Sequence, residues 1–151
     1  MMTHRCTEAD LRFREAFESG RWPTNAFDHA AHLRLAYVYL CTSDTDTAGQ
    51  RMAGALQQYL AHHGLPQEKF HATLTRAWIL AVAHFMAETP PCPSAQAFLT
   101  AQPRLHDGKL MLTHYSRERL FSASARKGFM SPDIQPIPRH ASSSSRPETL
   151  A

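Results

Sequence analysis

The sequence predicts an all-α, single-domain bundle of about five or six helices with an extended C-terminal tail. Three observations point there. Apolar residues recur at helical spacing through most of the chain. The periodic segments are parted by short breaks rich in Pro, Gly, Ser and Asp. No run alternates with period two. At 151 residues, one domain with a substantial core is expected, and 43% apolar with 19% charged residues suits broad buried faces.

Thr7 followed by Asp10 reads as a capping pair, and Leu11, Phe13, Ala16 and Phe17 give the first apolar stripe, which Ser19-Gly20 ends. After Trp22-Pro23, Asn25 is a plausible N-cap and Asp28 falls in the first turn of a helix expected from about Ala26 to Cys41. The stretch from Leu33 to Leu40 carries one charge, Arg34, and should be buried on most sides. A polar break at Thr42–Thr47 precedes a third helix ending at His63, before Gly64 and Pro66. A fourth is expected from about Gln67 to Glu88, stopped by Pro90, Pro91 and Pro93. Ser94 should cap a shorter helix through about Gln102. Beyond Pro103, helical segments are expected around Lys109–Ser116 and Ser116–Phe129, with Ser116 and Ser122 as caps. The bundle should occupy residues 1–131 and the tail 132–151, where few apolar groups remain to offset ordering entropy. Within the tail, Ile134 and Ile137 offer a way for 132–138 to pack along the surface.

The net charge of +3 is modest, and half of the 16 Lys and Arg residues lie from Arg104 onward without aromatic interleaving or a nucleic-acid motif. No nucleic-acid partner is expected. Cys6, Cys41 and Cys92 are odd in number and far apart, so neither a disulfide framework nor a thiolate zinc site is suggested. No apolar run is long enough for a membrane span, and a cytoplasmic location is the default expectation. No Gly-x-Ser-x-Gly motif or glycine-rich phosphate loop is present.

The histidines carry the functional reading. A helix advances about 100° per residue, which places His29 and His32 on the stripe of Leu33, Ala36 and Leu40, and His71 on that of Thr75, Trp78, Val82 and Phe85. Short connections make helices two and four parallel, so their leading ends should meet. The third helix brings His62 and His63 to the same end. Imidazole is a good ligand for iron, copper or zinc, and three protein ligands with an open position suit a catalytic ion. His29, His32 and His71 are the candidate metal ligands, with Asp28 and Thr75 as candidates to orient them. His114 is a candidate fourth ligand or acid/base group. Arg34 or Arg126 could neutralise an anionic small-molecule substrate. The expected function is a His-ligated metal-dependent enzyme, with oxidation and hydrolysis both open. The alternatives are a non-enzymatic helical module that binds a small ligand or protein partner, and a structural or oligomerisation domain whose histidines are satisfied core groups. Oligomeric state is left open.

Phe27-x-His29-x-x-His32-Leu33-x-x-Ala36, Phe70-His71-x-Thr73-x-Thr75, His114-Tyr115-Ser116, Ala125-Arg126 and Pro132-Asp133, in that order, resemble a family of small, uncharacterised bacterial helical proteins. The resemblance covers roughly Phe27 to Pro138 and implies no activity. Relatives often carry Glu at the position of Ala72, and some at that of Ala31. If either carboxylate is a ligand or base there, the chemistry here is altered. The resemblance also implies that Arg126 and Asp133 belong to one functional or packing unit.

Overall fold

In a computed structural model that describes residues 3–138, five helices of seven residues or more form the body: α1 (Glu8–Glu18), α2 (His29–Thr42), α3 (Thr45–His62), α4 (Ala72–Ala87) and α5 (Ala95–Ala101). Two short helices follow, α6 (Arg117–Leu120) and α7 (Ala123–Lys127), and four 3-10 turns fill connections. No strand occurs among the described residues, and no described helix is long and apolar enough to cross a membrane. The expected tail at 139–151 lies outside the described residues.

Local chemistry sets most of the helix starts. Thr7 accepts the Asp10 N–H and Asp10 accepts the Thr7 N–H, closing a capping box on α1. Asp44, Ser94, Ser116 and Ser122 each accept a backbone N–H of the first turn that follows. Gly64, at φ +66°, follows the C-cap of α3 in the left-handed region that glycine enters without strain. Gly20, at φ +81°, has a second reason to be glycine, because a Cβ there would lie 2.3 Å from the His62 ring.

Two expected helix starts are corrected. Asn25 does not cap α2. Residues Thr24–Ala26 form a 3-10 turn, and the Asp28 carboxylate accepts the Ala31 N–H at 2.9 Å, so the helix begins at His29. Helix four does not run from Gln67. Gln67–Lys69 is a separate 3-10 turn, Phe70 and His71 are extended, and His71 is the N-cap of α4.

Helix α2 is the central element, packing against α1, α3, α4 and α5. Leu33, Leu35, Ala36, Tyr37, Val38 and Tyr39 are all fully buried, as expected of a helix apolar on most sides. Burying side chains of the size of Leu33 or Leu35 contributes about 1.5–3 kcal/mol each. Asp10 is 3% exposed and accepts from the Ala95 N–H and from Arg34 Nε, each at 3.0 Å. Burial opposes its charge, yet the Ala95 and Thr7 amides and the Arg34 guanidinium outweigh it and lower its pKa.

The C-terminal part of the chain returns to α4. Thr73 donates to the Gly128 carbonyl at 2.9 Å and accepts the Met130 N–H at 3.0 Å. Tyr115 donates to the Met130 carbonyl at 2.6 Å, and the Asp133 carboxylate accepts both the N–H and the hydroxyl of Ser116. Ile137 is 6% exposed, whereas Ile134 is 59% exposed, so only one of the two expected anchors packs.

Candidate functional site

The two leading helix ends and the second half of α3 enclose a cavity of about 620 Å³, and His29, His32 and His71 all line it. Around them stand Phe27, Leu56, Tyr59, Leu60, Phe70 and Trp78, with Lys69 as the one Lys or Arg side chain of the lining. His62 and His63 do not line it. His62 packs beneath Gly20, and the His63 ring lies against Tyr59 with centroids 4.5 Å apart.

The three cavity histidines differ in what their ring nitrogens do. His71 is 7% exposed and occupied at both. Its Nε2–H donates to the Leu120 carbonyl at 2.8 Å, and its Nδ1 accepts the Leu74 N–H at 3.1 Å, closing the start of α4. These partners fix the tautomer. Thr75 donates to the backbone carbonyl of His71, not to its ring, at 2.8 Å. Burial lowers the pKa of His71, the Leu120 carbonyl opposes that, and the charge of Arg126 adds to the lowering.

His29 donates Nε2–H to the Leu105 carbonyl at 2.9 Å, and its ring meets Trp78 edge-on with centroids 4.8 Å apart. Its Nδ1 is thereby the unprotonated nitrogen. His32 is different again: its Nδ1 is buried and has no hydrogen-bond partner. Burial, and secondarily the neighbouring His29, lower the His32 pKa to about 4. At neutral pH it is an uncharged ring with an unmet polar atom in an apolar wall.

The other sequence candidates sit elsewhere. His114 does not line the cavity. Its Nδ1 donates to the Gln135 carbonyl at 2.8 Å, and its own carbonyl accepts the Ile134 N–H at 2.9 Å, so it fastens the segment after Ser131. Arg126 is exposed and donates to the Glu68 carbonyl at 2.9 Å, while Asp133 pairs with Ser116. Both belong to the C-terminal packing unit, through different contacts. Arg34 is committed to Asp10 and lies over the Phe13 ring at 4.6 Å. Asp28 is engaged as the α2 cap. Ala31 lines a separate surface groove beside Asp10 and Arg34, away from the histidine cavity.

The expected ligand trio is therefore gathered at one cavity, but His71 presents it no free nitrogen. Among the described residues, no three His, Cys, Asp or Glu side chains form a group able to hold one metal ion. Sequence reasoning passed over Lys69, Phe70 and Leu65, which line the cavity. Their signal was Pro66, which starts a separate turn and sends the next residues across the mouth instead of along a helix. No family model, curated protein or solved structure matches the chain.

Proposed function

We propose that the chain binds a small organic anion in the histidine cavity, with an apolar or aromatic body against Phe27, Leu56, Tyr59 and Trp78 and a polar head near His32 and Lys69. The observation that carries this reading is the unpartnered, buried Nδ1 of His32 in that wall. A buried polar atom without a partner destabilises a folded protein by about 1–3 kcal/mol, and a ligand atom that bonds it recovers that deficit. A cavity of about 620 Å³ is of the size that takes small ligands.

The role given to each residue follows. His32 gives or takes one hydrogen bond, Lys69 supplies the positive charge at the rim, Trp78 stacks, and His71 holds the wall in place. Binding is testable by thermal shift against a panel of small aromatic and branched aliphatic carboxylates, with and without H32L and K69A. Saturable stabilisation of the wild type that disappears in H32L supports the reading. A wild type shifted by no member of the panel rejects it.

A second reading keeps a metal-dependent enzyme, with iron, copper or zinc held by His29 and His32. The adjacency of the two rings, seen in the effect of His29 on His32, favours it. His71 would have to release Leu74 or Leu120 to join them. Elemental analysis of untagged protein separates the readings: stoichiometric metal lost in H32A supports the enzyme, and metal-free protein that still binds the carboxylate supports the module.

A further inference from the structure

The three cysteines stand far apart in sequence, yet two of them meet. The Cys6 and Cys41 thiols hydrogen-bond to one another, and Cys41 also bonds the Tyr37 hydroxyl. The backbone explains the meeting. Residues just before α1 run in extended form across the bundle: the Arg5 N–H donates to the Cys92 carbonyl at 2.8 Å, and the Tyr37 hydroxyl donates to the Arg5 carbonyl at 2.7 Å. His4 is fastened as well, by Met86 and by the Cys92 N–H. Cys41 lies one turn beyond Tyr37 on α2, so its thiol and that of the residue after Arg5 are brought to the same place. Both cysteines are half-buried, and neither is in a disulfide.

We propose that Cys6 and Cys41 are a two-thiol oxidation site that hydroperoxides convert to a disulfide, stapling the N-terminal segment to the last turn of α2. The roles of the two sulfurs are unequal. The Cys41 thiol donates to Cys6 and thereby favours the Cys6 thiolate, burial and Asp10 resist it, and Arg14 and Arg34 assist. Cys6 is the attacking sulfur and Cys41 the resolving one. The Cys6 thiolate attacks one oxygen of hydrogen peroxide, the O–O bond breaks, and hydroxide leaves and is protonated to the first water, giving the sulfenic acid. Cys41 sulfur then attacks the Cys6 sulfur, the S–O bond breaks, and the second water is released as the Cys41 proton is taken up. Two thiols and one hydrogen peroxide give one disulfide and two waters, with two electrons passing from sulfur to oxygen.

Cys92 serves as the internal control. Its thiol contacts the Pro90 carbonyl at 3.3 Å, and burial raises its pKa. Full-length reduced protein is treated with a small excess of hydrogen peroxide, quenched with an alkylating agent and mapped by peptide mass spectrometry. Loss of two of the three free thiols is expected, with a peptide cross-linked through Cys6 and Cys41 and Cys92 still alkylatable. In C41S, Cys6 should be trapped as a sulfenic acid by dimedone at a rate on the order of tenfold above Cys92. Retention of all thiols, a cross-link through Cys92, or equal labelling of Cys6 and Cys92 in C41S would each overturn the proposal. C41A gives the same readout should the introduced hydroxyl disturb packing.

Discussion

An imidazole serves a ligand only through a nitrogen that nothing else occupies, and on that measure His32, not His71, is the functional residue of the cavity. Replacing His32 with Leu should leave stability unchanged or raise it by up to about 1 kcal/mol while abolishing ligand binding, because an unmet polar atom is removed with its cavity contact. Chemical denaturation run beside the binding assay checks both halves. A loss above about 2 kcal/mol in H32L would mean that the ring has a partner after all. His71 should behave oppositely. H71A removes a cap and a tie to Leu120 and should destabilise by about 2–3 kcal/mol, whereas H71N restores an acceptor for Leu74 and should recover roughly 1 kcal/mol of it. The pH dependence follows from the same two rings. Both have lowered pKa values in the fold, so the unfolded chain binds protons that the folded chain does not. Their stabilisation is complete above the ordinary histidine value near 6.5 and declines as pH falls toward about 4, at up to about 1.4 kcal/mol per pH unit for His32. Denaturation midpoints measured across that range should slope in the wild type and flatten in H32L.

Among the elements, α1, α3 and α5 were legible in the sequence because their signals are local. Thr7, Ser94, Gly64 and the prolines after Glu88 act within a few residues of where they stand. The start of α4 was not legible for the opposite reason. The Nε2 of His71 is met by a carbonyl 49 positions away, and no periodicity reports that. The start of α2 turned on a choice between Asn25 and Asp28, which are both good caps, and the 3-10 turn at Thr24–Ala26 decided it. Gathering of the three histidines was legible, since it needed only short connections and two parallel helices. What each nitrogen would do was not, since it depends on carbonyls supplied by Leu105 and Leu120, in segments where the helical signal is weak. The C-terminal elements hang on Thr73, which the wheel places away from the histidine face. Its hydroxyl serves both Gly128 and Met130. Thr73→Val keeps the volume and removes both bonds, so it should cost about 1–3 kcal/mol and speed amide exchange selectively at 128–135. Uniform exchange across the chain would contradict that assignment.

For the molecule as a whole, the division into a bundle ending at residue 131 and a separate tail does not describe the packing through residue 137. Asp133 holds Ser116, Ile134 and Gln135 N–H groups reach the His114 carbonyl, and Ile137 joins the core. A chain ending at Ser131 should therefore melt earlier than the full chain. The lost burial of Ile137 alone is worth about 2 kcal/mol, and an unchanged melting temperature would show these contacts to be idle. Cavity and thiol pair lie at opposite ends of α2, separated by about 18 Å of helix between His29 and Cys41, so the two should respond to their reagents independently.

The ring of His71 is wall, cap and tether at once: it faces the cavity, holds the first amides of α4 and grips the end of α6 through Leu120. Anything that settles into that cavity and quiets this ring would also quiet the last elements of the chain. Amide exchange in Phe121–Lys127, of which no residue lines the cavity, would then slow on occupancy, giving a distant reporter of binding that needs no label on the guest.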